Sequence, residues 1–185
     1  LIEQSLMKEE VNDIQILPIL GNASDISLMK NLFSREKVSI VFHAAAYKHV
    51  PLVENNPLQG IVNNAFSTRV VCEAGKYSKL KKVILISSDK AVRPTNILGA
   101  SKRLAELIVQ AFAEEEELIT KSDNFKTIFS MVRFGNVLGS SGSVVPLFEK
   151  QIKNGGPVTI THPDIIRYFM TIPEAAQLVI QSSVL

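Results

Sequence analysis

Apolar residues come in short blocks separated by longer amphipathic ones. The runs I-Q-I-L-P-I (14–19), V-S-I-V-F-H (38–43), Val83–Ser87, T-I-F-S-M-V-R-F (127–134) and V-T-I-T (158–161) have the length and density of buried strands. Helical spacing fills the stretches between them. It predicts a helix tail over residues 1–10 and a helix capped by G-N-A-S-D (21–25) that runs to Arg35. Further helices are predicted over Pro57–Tyr77, from Ile97 to Glu117, over Val145–Lys153 and from Pro173 to Ser182. Strand and helix alternate throughout, which predicts a doubly wound parallel α/β sheet.

The stretch S-S-D-K-A-V-R-P-T-N-I-L-G-A-S-K-R (87–103) is the candidate for chemistry. Ser88, Asp89 and Lys90 follow a buried strand, and Pro94 and Asn96 mark a loop before the long helix. Leu98 and Lys102 stand four apart on that helix and share a face. An acid and two amines thus converge at the carboxyl end of a strand, where open α/β sheets bind ligands.

Composition narrows the class. The chain has 185 residues, 46% of them hydrophobic and 21% charged, and a net charge of +2 with the basic residues scattered. That is ordinary globular material and no dedicated surface for nucleic acid. The one cysteine, Cys72, lies among Val70, Val71 and Ala74 and reads as a core residue in a reducing compartment. No run of 18 or more apolar residues predicts a membrane span, and no pattern at the start predicts a signal peptide. Glu114–Glu117 reads as a solvated helix end, and His43 and His162 lack partners at metal-ligand spacing. The chain opens L-I-E-Q-S-L, without an initiator Met, as if cut from something longer.

Five segments in order carry a resemblance: H-A-A-A-Y-K-H-V-P, I-S-S-D-K-A-V-R-P-T-N, G-A-S-K-R-L-A-E, R-F-G-N-V-L-G-S-S-G-S-V-V-P-L-F and T-H-P-D-I-I-R-Y-F-M-T-I-P-E-A. Together the chain resembles the extended short-chain dehydrogenase/reductase superfamily, and within it the nucleotide-sugar 4,6-dehydratases of bacterial surface-polysaccharide synthesis. The resemblance implies a Rossmann-like NAD(P)-binding domain over 1–140 and the beginning of a substrate-binding region over 141–185. It also implies a UDP-N-acetylhexosamine substrate, a homo-oligomeric parent protein and a cytoplasmic catalytic region.

The resemblance implies roles residue by residue. Lys90 is the base at sugar carbon 5 and Asp89 the acid at carbon 6, which together expel water once carbon 4 is oxidised. Ser88 stands for a hydroxyl residue near carbon 4, and Lys102 for the lysine on the nicotinamide ribose. Asp25, Ala44, Ala45, Ala46 and Asn64 are implied on the cofactor side; Lys48, His49, Asn136 and Arg167 on the substrate side. Arg133 has a structural reading beside a functional one, and G-S-S-G-S offers backbone N–H groups to phosphate. A lysine base must be neutral and a carboxyl acid must be protonated, so Asp89 is expected to have a raised pKa.

Three departures stand out. Leu98 occupies the place of the superfamily's usual Tyr and cannot take a proton, which leaves Ser88 to relay it. Asn22 replaces a frequent acidic residue. The opening strand, G-x-x-G-x-x-G turn and second strand of the superfamily are not in the sequence, so cofactor binding by these 185 residues alone is expected to be impaired. In the strand order 3-2-1-4-5-6 the two absent strands would separate residues 14–19 from 38–43 by about 14 Å. The first strand is therefore expected to be displaced, completed by another copy, or a remnant. A sugar-nucleotide epimerase or reductase, and an inactive nucleotide-binding module, are the competing readings.

Overall fold

A computed structural model of the chain describes residues 15–119, 125–140, 144–160, 162–164 and 166–184. The expected helix tail over 1–10 lies outside them. Three parallel strands, β1 (Ile40–His43), β2 (Lys82–Ser88) and β3 (Ile128–Phe134), form a sheet in the order β1-β2-β3. In register, Val41 pairs with Val83, Leu85 with Met131 and Ser87 with Arg133.

Alternation along the strands sends Val41, Val83, Leu85, Phe129 and Met131 to one face. There they meet Phe33 of α1 (Ile26–Arg35), Val71, Cys72 and Ala74 of α4 (Ser67–Tyr77), and Ala105, Val109 and Phe112 of α5 (Ile97–Ile119). Phe112 and Phe129 set their ring centroids 5.4 Å apart, tilted by 46°. Cys72 has no exposed surface, as a core reading requires.

The helix starts follow their sequence signals. Asp25 caps α1 by accepting from Leu28 N at 3.0 Å. Before α5, the Asn96 side chain accepts from Gly99 N at 2.8 Å, and Glu54 from Ile97 N at 2.6 Å. The segment from Pro57 is three pieces: α3 (Pro57–Ile61), a π-helical turn (Val62–Phe66) and α4. A short helix, α2 (Val50–Asn55), precedes it. Pro51 sits in its first turn, where a missing N–H costs nothing.

Two predicted strands are absent. Residues 15–19 form no strand and are mostly exposed; Pro18 cannot donate to a ladder. Residues 158–160 also form none, because the Gln151 side chain occupies Thr159: it accepts from Thr159 N at 3.1 Å and donates to Thr159 Oγ1 at 2.8 Å. Instead β4 (Asn136–Val137) and β5 (Phe169–Met170) pair in parallel. A Cβ on Gly135 would stand 2.7 Å from Tyr168 O, so the approach to β5 needs glycine there. The remaining helices are α6 (Val144–Lys153) and α7 (Ile172–Ser182), the latter opened by a capping box of Thr171 and Glu174.

Candidate active site

A cleft of about 570 Å³ opens at the carboxyl end of β2. Ser88, Lys90, Leu98, Lys102, His49 and Asn136 are among its walls. The chain enters it through a 3₁₀ turn, Asp89–Ala91, which Ser88 caps by accepting from Lys90 N at 3.2 Å. Helix α5 presses directly on this turn. A Cβ on Gly99 would stand 2.4 Å from Lys90 O, so the absence of a side chain at 99 sets how closely turn and helix approach.

The three polar residues of the turn form one chain. Ser88 Oγ donates to Asp89 Oδ1 at 2.9 Å, and Lys90 Nζ donates to the same oxygen at 3.1 Å. Asp89 stands at the rim, outside the cleft wall, with 41% of its side chain exposed. Burial pushes its pKa up, but the hydrogen bonds from Ser88 and Lys90 outweigh burial and hold it below the usual carboxylate range. The expected upward shift is therefore corrected: at rest Asp89 is ionised.

Lys102 faces the cleft from α5. Burial lowers its pKa, opposed by the negative charge of Glu106 one turn on. Its hydrogen bond to Ile86 O is 3.5 Å long, and the ammonium group has further donors for a ligand. Leu98 is 3% exposed and supplies an apolar wall where a proton acceptor would be expected.

Loop 44–49 forms the opposite wall. Ala44, Ala46, Lys48 and His49 line the cleft, while Ala45 is exposed beside it. Asn64 does not line the cleft. It is buried in the π-helical turn, accepting from Tyr47 N at 2.7 Å and donating to Tyr47 O at 3.2 Å and Ser101 Oγ at 2.9 Å. It braces the loop against α5. Below it, Thr68 Oγ1 donates to Asn64 O at 2.8 Å, which leaves His43 Nε2 as the donor in the 3.1 Å contact with Thr68. Burial, and then the charge of Lys102, push His43 down to about 4.

Asn136 lines the cleft from β4, and its Nδ2 is buried without a hydrogen-bond partner. Arg167 is exposed and not among the cleft residues, and Asp25 is exposed at its helix cap. Of G-S-S-G-S, residues 141–143 lie outside the described region; Ser140 lines the cleft. Among the described residues no group of three or more His, Cys, Asp or Glu could hold a metal ion.

Sequence reasoning missed Glu106. Its side chain has no exposed surface and accepts from Ser87 Oγ at 2.6 Å, Arg133 Nε at 2.7 Å, Arg133 Nη2 at 2.5 Å and Arg103 Nη1 at 3.0 Å. The signal was present: a carboxylate at positions i+4 from Lys102 and i+8 from Leu98 belongs on the buried face of α5. Arg133 takes the structural reading through this contact.

The profile of a family described as polysaccharide biosynthesis protein matches residues 1–185. The chain belongs to that family. It is 48% identical over 184 residues to the capsular polysaccharide biosynthesis protein CapD of Staphylococcus aureus, covering 100% of this chain and 29% of that protein. It is 36% identical to a UDP-glucose 4-epimerase of Rickettsia bellii, covering 96% of this chain and 50% of the relative. The chain thus spans half the length of these curated relatives or less. Among solved structures, Pen from Bacillus thuringiensis matches with a TM-score of 0.83 at 36% identity, over 100% of this chain and 56% of that one. The dTDP-glucose 4,6-dehydratase DesIV of Streptomyces venezuelae, solved with NAD and TYD bound, matches in fold with a TM-score of 0.77 at 16% identity, over 94% and 56%. The Rossmann-like parallel α/β fold is thereby shown.

The residues present fit the nicotinamide end of such a cofactor: a floor of small alanines and a half-buried lysine with donors to spare. No G-x-x-G-x-x-G turn for the pyrophosphate occurs in the 185 residues.

Proposed function

We propose that this chain is the catalytic core of an NAD(P)-dependent 4,6-dehydratase acting on a UDP-N-acetylhexosamine. The observation that carries the reading is the Ser88–Asp89–Lys90 chain at the end of β2, with Lys102 on the facing helix. Oxidation or epimerisation alone does not require an acid and an amine on adjacent residues; elimination of water does.

The ionised Asp89 sets the order of proton movements. A sugar hydroxyl on carbon 4, seated on Ser88 Oγ, gives its proton to Ser88, which passes its own to Asp89 along the 2.9 Å contact. What a bound nicotinamide supplies is hydride acceptance from carbon 4 and hydride return at carbon 6. Lys90 acts as the neutral amine and takes the proton on carbon 5. Asp89 then protonates the departing carbon 6 oxygen, and Lys90 returns its proton to carbon 5. The proton from the carbon 4 hydroxyl leaves in the water, so the net change is loss of one water.

In this reading Lys102 holds the nicotinamide ribose, Ala44, Ala45 and Ala46 floor the cofactor, and Asn64 fixes that floor. Asp25 serves the adenine side. Lys48, His49, Asn136 and Arg167 serve the substrate, the unpartnered Asn136 amide donating to a phosphate or sugar oxygen. Residues 1–140 are the cofactor domain and 141–185 the beginning of the substrate-binding region. The full-length protein is a homo-oligomer with a cytoplasmic catalytic region, and the 185 residues alone are inactive.

Incubating the full-length protein with UDP-N-acetylglucosamine tests the reaction: the product is expected to be lighter by one water. An unchanged mass with an altered sugar would instead favour the epimerase reading, which the 36% identity to a protein of that name supports. Calorimetry on the 185-residue chain tests the cofactor claim. Heat is expected with a UDP-sugar and none with NAD; silence with both would favour an inactive module.

A further inference from the structure

We propose that Glu106 is the positioning residue of this cleft: its carboxylate ties the ends of β2 and β3 together and holds a fixed negative charge one helical turn from Lys102. The proposal rests on the site reading above for the place of Lys102, and on geometry for the rest.

Ser87 and Arg133 are register partners across β2 and β3, so their side chains leave the sheet on the same face. Glu106 meets both from α5, and Arg103 closes the ring from the same helix. The next residue on each strand carries the chain into the cleft: Ser88 leads to the Asp89–Ala91 turn, and Phe134 to Gly135 and Asn136. A carboxylate locked to both strands therefore sets the height of the acid–base turn relative to the Asn136 wall.

The charge has its own effect. Glu106 is driven down to about 2: burial raises it, and hydrogen bonds from Arg133, Ser87 and Arg103 override that. It is ionised across the working pH range and opposes the effect of burial on Lys102. Other charged or titratable groups near the pair are His43 from β1, Lys48 and His49 from the opposite cleft wall, Asp89 and Lys90 from the turn, Arg133 from β3 and Arg103 from α5. His43 is held neutral by burial and by Lys102, and Glu106 is the carboxylate whose charge raises the Lys102 pKa against burial.

Lysine-selective ¹⁵N NMR titration of the full-length protein, comparing wild type, Glu106→Gln and Arg133→Gln, separates charge from scaffolding. E106Q removes the charge and keeps the shape; R133Q loosens the tie and keeps the charge. The Lys102 midpoint is expected to fall in E106Q and not in R133Q. Equal falls in both, or no fall in E106Q, would overturn the proposal. Should E106Q not fold, R133Q decides alone: with the Glu106 charge less neutralised, the Lys102 midpoint rises, and a fall overturns the claim. The titration reads Lys102 whether or not a nucleotide sugar binds, so failure of the substrate reading is separately visible.

Discussion

Ser87 and Ser88 are consecutive residues at the end of one strand, and they serve two carboxylates of opposite character. Ser87 turns toward the helices and donates to Glu106, which has no exposed surface and also binds two arginines. Ser88 donates to Asp89, which is 41% exposed and meets one lysine. Both carboxylates are held ionised, yet only one can change that state cheaply. Protonating Glu106 would weaken the shared acceptor of two guanidinium groups and a serine at a carboxylate with no exposed surface. Protonating Asp89 weakens two contacts, from Ser88 and Lys90, that solvent can replace. The period-2 alternation of a strand therefore divides a scaffold cluster from the one proposed to be reactive within a single dipeptide.

The largest expected effect tests the reactive half. In the full-length protein Asp89→Asn should lower turnover by about 10²–10⁴-fold, the usual contribution of general acid–base catalysis. Stability should change by less than about 1 kcal/mol, because a half-exposed ion pair contributes little. Steady-state rates and urea unfolding check both. A D89N protein that turns over normally would move the chemistry elsewhere in the cleft.

The scaffold half should behave in the opposite way. Glu106→Ala leaves Arg133, Arg103 and Ser87 without their acceptor and should cost about 3 kcal/mol in urea unfolding, the lower part of the range for breaking a buried pair. The two arginines are each about 40% exposed and recover part of their solvation, which argues for that lower part. A cost below about 1 kcal/mol would remove the distinction between the clusters.

A third test works on the boundary between them. Gly99→Ala places a Cβ 2.4 Å from Lys90 O, and backbone on both sides leaves nothing flexible to yield. The Asp89–Ala91 turn should lift from α5 at a cost of about 2 kcal/mol, typical of overpacking. Turnover should fall with it while the Glu106 cluster keeps its contacts. Unfolding curves and the Lys90 NMR signal read the two effects separately.

The reactive cluster was legible in the sequence because its residues are contiguous: S-S-D-K at a strand end, then Leu98 and Lys102 at helical spacing. The strands β1, β2 and β3 and the long helix were legible from unbroken apolar runs and periodicity. The scaffold cluster was not, because Ser87, Glu106 and Arg133 are joined only when the β2–β3 register is known. The two false strands share a cause. Residues 15–19 and 158–160 have strand composition, but a strand exists only with a neighbour to accept its hydrogen bonds. One segment has no strand partner among the described residues, and the other has its Thr159 amide held by Gln151. The two-residue pairing of β4 with β5 is too short to leave any periodic trace.

The mildest expected effect is a change of slope, and it extends the comparison to a third buried group. His43 is held down to about 4, against 6.5 for the free side chain, by burial and by Lys102. Between these values the unfolded chain binds a proton that the folded one does not. Stability from this residue is therefore complete above pH 6.5 and is lost as pH falls toward 4. Glu106 takes over below: its contribution is complete above 4.5 and is lost as pH falls toward 2. Each group contributes at most about 1.4 kcal/mol per pH unit inside its own window. His43→Asn, which retains a donor for Thr68, should flatten only the upper window, and Glu106→Gln only the lower. Urea midpoints taken from pH 7 to pH 3 resolve the two. If His43→Asn leaves the upper slope intact, the histidine is not neutral in the folded state, and the charge balance around Lys102 must be redrawn.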